Sequence, residues 1–196
     1  MSYISANRRL TDDEMKQNAE YIRAYLEPQG WSLNAIAGML GNMQSESRMN
    51  PGAWQRYVEP YSNLNTGFGL VQWTPASKYI DWCNANGLTP ENMETALERI
   101  NWELANGVQY YQKPAYPLSF AEFKVSTESA YYLGGAFLIN YERPADQSEA
   151  NQDKRGQQAE YWYNYLSGAE PVPPTPPDPV LRRRKMPIWM MCRRVS

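Results

Sequence analysis

The segment that most constrains this chain is PVPPTPPDP, residues 171–179, with six prolines in nine positions. Proline fixes φ and has no N–H, so such a run supplies neither helix nor ladder hydrogen bonds and favours polyproline II. At ~3.1 Å per residue it predicts a semi-rigid spacer of roughly 28 Å. A packed core must then come from the residues before it. The charge changes sign at the same place. Residues 1–170 carry 13 Lys+Arg and 20 Asp+Glu, a net of −7, while residues 171–196 carry 6 basic residues and 1 acidic one, a net of +5. The expected organisation is one domain over 1–170, followed by a Pro-rich linker and short basic tail over 171–196.

A hydrophobic fraction of 42% is enough for a core, and the first part has the length of one domain. Its chemistry is bounded by an absence: the chain has no histidine. Ser-His-Asp and Cys-His catalysis are excluded, as are His-ligated metal sites. Acid–base work near neutral pH falls to Asp, Glu, Tyr, Lys or Cys. Cys83 and Cys192 are too few for a disulfide framework or a four-Cys zinc site, and read as free thiols. No acidic cluster has calcium-loop spacing, so neither metal nor cofactor is expected. The N-terminus, MSYISANRRLTDDEMK, lacks an apolar h-region, so no secretory signal is expected. No run reaches the ~18 apolar residues of a transmembrane helix.

The first 168 residues read as mostly α. Thr11 and Glu14 have capping-box spacing, and Met15, Ala19, Ile22 and Leu26 recur at helical intervals until Pro28 and Gly30. Ser32 is the next N-cap candidate, with Leu33, Ile36, Leu40 and Met43 on one face. A helix is predicted from Pro75 to about Asn86, closed by Gly87. Thr89-Pro90 is expected to open another, with Met93, Leu97, Ile100 and Leu104 as its apolar stripe. Two more helices are predicted over roughly 127–141 and 148–166. No alternating strand pattern of useful length is present. Tyr110-Tyr111, Tyr131-Tyr132 and Tyr161–Tyr165 read as packing residues on helices.

The stretch AGMLGNMQSESRMNPGAWQRYVEPYSNLNTGFGLVQWT, residues 37–74, carries the chemistry. Pro51 disfavours helix just ahead of it, so Glu46 falls in the last turn of its helix. A carboxyl there faces the partly negative end of the helix dipole, which favours the protonated form that a general acid needs. Gly67-Phe68-Gly69 is a glycine turn that lets backbone approach a ligand closely, although it lacks the strand–turn–helix context of a nucleotide loop. Trp54, Tyr57, Tyr61, Phe68 and Trp73 lie within thirty residues of Glu46, and flat rings of this kind suit the faces of sugar rings.

In order and spacing, Glu46-Ser47, Asn50-Pro51-Gly52-Ala53 and Gly67-Phe68-Gly69-Leu70-Val71-Gln72 resemble motifs of the lysozyme-like superfamily of soluble lytic transglycosylases and goose-type lysozymes. With Gln72-Trp73-Thr74 and Asn140–Ala145 (NYERPA) added, the chain is most similar to the phage tail lysozyme family, over about residues 15–168. The resemblance implies a mostly α, lysozyme-like domain with a cleft for peptidoglycan glycan strands. It implies that Glu46 protonates the oxygen between N-acetylmuramic acid and N-acetylglucosamine. Ser47, Gly67, Phe68, Gly69, Gln72, Trp73 and Tyr141 are implied substrate-binding positions, with the Tyr141 hydroxyl directed at the catalytic carboxyl. The aspartates of the goose-type pattern are replaced by Asn63 and Thr74. Hydrolysis usually needs two carboxyls, whereas a lytic transglycosylase needs one. Glu59, the other acid between Glu46 and Trp73, is the candidate second acid or base.

These expectations amount to a peptidoglycan glycosidase, a muramidase or lytic transglycosylase, carried by a phage particle or released to the bacterial wall. Residues 180–196, VLRRRKMPIWMMCRRVS, are too short to span a bilayer and suit an anionic surface or a tail-protein partner. Nucleic acid is not an expected partner. The competing class is a non-catalytic wall-binding or structural tail protein that keeps the fold. A third is an intracellular helical adaptor.

Overall fold

Local signals set the first two helices. In the computed structural model, which describes residues 1–168, α1 spans Asp12–Leu26. Glu14 N donates to Thr11 Oγ1 at 3.2 Å, and Thr11 N donates back to Glu14 Oε2 at 2.8 Å. This reciprocal cap satisfies two otherwise orphaned donors. Met15, Ala19, Ile22 and Leu26 are all buried. Gly30, at φ 82°, turns the chain. Ser32 then caps α2, Leu33–Glu46, by accepting from Ala35 N at 3.1 Å. Every residue from Ala35 to Met43 is buried, so α2 runs through the core instead of along its edge.

The remaining helices are α3 (Ser77–Ala85), α4 (Met93–Asn106), α5 (Phe120–Val125), α6 (Ala130–Phe137) and α7 (Glu149–Ser167). Gly87 is left-handed after α3, as its sequence position predicts, and Gly107 is left-handed after α4. The start of α4 differs from the expectation. Pro90 lies in a turn, with its carbonyl taken by the Tyr79 hydroxyl at 2.9 Å, and the helix begins only after Asn92. The short α5, capped by Ser119 and Glu122, spans too few residues to show a period. One π-helical turn, Leu138–Glu142, extends α6, with Arg143 N donating to Leu138 O at 2.8 Å. No strand occurs among the described residues, only isolated bridges. The fold is thus mostly α, as the sequence reads. The linker and basic tail expected over 171–196, with Cys192, lie outside the described residues. Cys83 is buried, and that burial pushes its thiol up to about 11.

The helices α2, α6 and α7 pack most closely, and two glycines explain why. A Cβ on Gly41 would lie 2.6 Å from Ala159 N, and one on Gly134 would lie 2.7 Å from Arg155 O. Glycine inside a helix costs roughly 0.5–1 kcal/mol against alanine. Here it lets α2 and α6 both approach the same turn of α7. That turn carries Arg155. No helix among the described residues is long and apolar enough to cross a membrane.

Candidate active site

Glu46 is the last residue of α2, and the chain reverses directly after it. Arg48 and Met49 take left-handed φ values of 58° and 59°. Such conformations cost of order 1 kcal/mol or more and persist only where surroundings fix them. Asn50 supplies part of that fixing. Its fully buried amide donates to Ala6 O at 2.6 Å and Arg8 O at 2.8 Å, while its oxygen accepts from Ala6 N and Gly52 N, each at 3.1 Å. The Ser47 hydroxyl donates to Leu70 O at 2.7 Å. It therefore ties the end of α2 to the glycine segment. Gly69 N donates to Ala53 O at 3.0 Å, and Gln55 N donates to Gly67 O at 2.8 Å.

These loops and the end of α6 enclose a cleft of about 730 Å³. Glu46, Ser47, Gln72, Trp73 and Tyr141 line it, together with Arg56, Tyr57, Thr74, Lys78, Glu142 and Arg143. Gln72 shapes the wall, with Nε2 donating to Ala53 O at 2.9 Å and Gly69 O at 3.1 Å. Gly67, Phe68 and Gly69 are buried and do not line the cleft. They form the packed layer behind it. Glu59 is exposed on the loop and does not line the cleft either.

The aromatic residues divide the same way. Trp54 packs on Phe68 with centroids 4.6 Å apart, and Trp73 stacks on Tyr79 at 4.2 Å. Trp54, Phe68 and Trp73 are buried, whereas Tyr57 is 44% exposed on the cleft wall. Some tyrosines read as packing residues on helices prove otherwise. Tyr110 is buried but lies in the loop after α4, and Tyr111, Tyr131 and Tyr161 are exposed. The Arg143 guanidinium sits over the Tyr111 ring, 4.3 Å from its centroid.

The charges are arranged across three helices. Arg155 Nη2 donates to Glu46 Oε1 at 2.7 Å, and Nη1 donates to Asn42 O at 2.9 Å. The guanidinium thus opposes the negative end of α2, a charge that the sequence reading did not place there. Glu142 follows from the π-helical turn. The residue is half-buried, yet its Oε1 is fully enclosed and has no hydrogen-bond partner. Burial holds the Glu142 carboxyl well above the usual 4.5, and the charge of Glu46 adds to this, against the pull of Arg155.

Tyr141 differs from the expectation. Its hydroxyl donates to Glu103 Oε2 instead of pointing at Glu46. Glu103 is buried on α4 and needs donors, because an unpaired carboxyl in the interior is costly. It also accepts from Arg99 Nε at 2.9 Å and Trp73 Nε1 at 3.0 Å. Burial still pushes its carboxyl up against these three lowering contacts. The network fixes the Trp73 and Tyr141 walls of the cleft.

Two carboxyls, Glu46 and Glu142, thus line one concave site beside the exposed ring of Tyr57, with the Arg155 guanidinium holding Glu46 from behind. The sequence model of the phage tail lysozyme family matches residues 17–166. The chain belongs to the phage tail lysozyme family. It is also similar to Morphogenesis protein 1 of Bacillus phage B103, with 50% identity over 166 residues, which is 85% of this chain and 44% of that protein. The chain therefore spans less than half the length of this relative.

Within this phage tail lysozyme domain, three site residues escaped the sequence reading: Glu142, Arg155 and Glu103. Glu142 carried a usable signal, since it stands beside Tyr141 in the NYERPA segment. Arg155 carried a weaker one, as a basic residue next to Gly156 on a helix. Glu103 carried none, because its place among Met93, Leu97 and Ile100 resembles an ordinary polar flank.

Proposed function

We propose that this domain cleaves the glycosidic bond between N-acetylmuramic acid and N-acetylglucosamine in peptidoglycan, with Glu46 protonating the leaving oxygen. The observation that carries the reading is the placement of Glu46 at the end of α2, on the wall of the cleft, against Arg155. Family membership supports it. In this reading a glycan strand lies along the cleft, with Tyr57 offering its ring to a sugar face. Gln72 and Ser47 act by holding the wall, since their polar groups bond to backbone. Protonation of the oxygen and departure of the leaving sugar give a cationic C1. Attack by water leaves a reducing end, and attack by the sugar's own C6 hydroxyl leaves a 1,6-anhydro end. We place the domain on a phage particle, acting at the bacterial wall.

The name of the B103 relative favours a second reading, in which the chain is a tail component that binds wall without turnover. Incubation of the protein with purified insoluble peptidoglycan, followed by mass spectrometry of the soluble fraction, separates the two. Glycan fragments ending in reducing or 1,6-anhydro N-acetylmuramic acid are expected. Binding without release supports the second reading, and absence of binding contradicts both.

A further inference from the structure

The charge lining the cleft runs against the charge of the domain around it. Residues 1–170 carry a net of −7. Yet Arg56, Lys78 and Arg143 all line the cleft, and all three are exposed. None of them takes part in an ion pair among the described residues. The carboxyls of the cleft are otherwise engaged: Arg155 holds Glu46, and Glu142 Oε1 is fully enclosed.

Two of the three cations stand on unusual backbone. Arg56 has φ 56° and Arg143 has φ 50°, both in the left-handed region. Tyr57, Gln72 and Gln109 share that region, and they too line the cleft. Such conformations are costly for residues other than glycine and concentrate at ligand clamps. Arg143 is also pre-placed. Its backbone N–H closes the π-helical turn onto Leu138 O at 2.8 Å, and its guanidinium lies over the Tyr111 ring. A ring covers one face of a guanidinium and leaves the N–H edge open to an acceptor in its plane.

We infer that the cleft binds a carboxylate of its substrate, with Arg143 as the principal contact and Lys78 and Arg56 as supporting charges. This rests on the glycosidase reading above. Peptidoglycan differs from a plain N-acetylhexosamine polymer by the lactyl group of its muramic acid. That group ends in a free carboxylate or continues into a peptide stem, which carries carboxylates of its own. Either is the planar, two-oxygen acceptor that an arginine fork fits. Binding it separates peptidoglycan from a neutral polymer of the same sugars, which stacking on Tyr57 alone does not.

The test is calorimetric binding of N-acetylglucosaminyl-N-acetylmuramyl tetrapeptide to the full chain. This disaccharide lacks the bond that the domain is proposed to cut, so it survives the titration. It is compared with the same compound converted to carboxamides. The acid is expected to bind about tenfold more tightly. Raising NaCl from about 50 to about 500 mM should remove most of that difference. In Arg143→Gln the acid-to-amide ratio should fall to about twofold or less, and Arg143→Lys should restore part of it. Lys78→Gln and Arg56→Gln should each lower it by a smaller step. The peptide-free disaccharide, which carries the lactyl carboxylate alone, distinguishes the two sources. Binding as tight as that of the peptide-bearing acid assigns the contact to the lactyl group, and weaker binding assigns it to the stem. Equal affinity of the wild type for acid and amide overturns the inference, as does an unchanged ratio in Arg143→Gln. If Arg143→Gln does not fold, a ratio unchanged in both Lys78→Gln and Arg56→Gln overturns it. Failure of the acid to bind a wild type that releases fragments from peptidoglycan overturns it too. Wild-type protein that prefers the acid yet releases no fragments overturns the glycosidase reading instead.

Discussion

Arg155 on α7 meets Glu46 on α2 at 2.7 Å, across 109 positions of sequence. The Arg155 side chain is 8% exposed and that of Glu46 is 23% exposed, so the pair is only partly open to water. Removing one partner of such a pair strands the other, at a cost of about 3 kcal/mol. Arg155→Met should lower the urea midpoint accordingly and abolish wall cleavage. Arg155→Lys should restore only part of the stability, because a lysine cannot hold Glu46 and the Asn42 carbonyl with one planar fork. A midpoint unchanged in Arg155→Met would contradict this account of the pair.

The approach of α2 to α7 depends on Gly41. An alanine Cβ there meets the Ala159 backbone nitrogen at 2.6 Å, and backbone cannot swing aside as a flexible side chain can. Gly41→Ala should cost about 1–3 kcal/mol, read from thermal unfolding. Because the helices must separate, the Arg155–Glu46 contact loosens too. Activity at a temperature where the variant is fully folded should therefore drop as well.

How much of this was legible in the sequence depends on how local each signal is. The ends of α2 were legible because Ser32 and Pro51 act on their immediate neighbours. The position of Glu46 followed from them. Thr89-Pro90 signals a start for α4 that lies too early, because the Tyr79 hydroxyl that donates to Pro90 O and holds it in a turn comes from another helix. Glu59, the acid nearest Glu46 in sequence along the loop, is exposed outside the cleft, whereas Glu142 reaches the cleft wall through the packing of α6 on α2 and a π-helical turn that no periodicity announces. The Tyr141 hydroxyl departs from the implied direction for a related reason. Its partner Glu103 is a buried acid, held with Arg99 on the core-facing side of α4.

Protonation of Glu142 also leaves a mark on stability. Its folded value lies above the ordinary unfolded one of 4.5, so the folded state binds this proton more tightly. That contribution is fully present below about pH 4.5 and is lost as pH rises through the folded value. Glu142→Gln, fixed in the neutral form, should flatten this part of the curve. Above pH 7 its unfolding free energy should exceed that of the wild type. Parallel stability–pH curves for the two proteins would contradict the raised value.

Tyr57 is the exposed ring on the cleft wall. Tyr57→Ala removes a stacking surface worth about 1 kcal/mol and touches little of the core. KM for soluble glycan fragments should rise about five- to tenfold, with kcat and melting temperature nearly unchanged. A loss confined to kcat would place this ring elsewhere in the mechanism.

The most direct measurement compares wild type with Glu46→Gln on a suspension of purified bacterial walls, following turbidity. Glutamine keeps an oxygen for Arg155 and removes the acidic proton. The account predicts steady clearing by the wild type and clearing at least about 100-fold slower by the variant, at matched melting temperature. Equal clearing by the two proteins would contradict the assignment of Glu46.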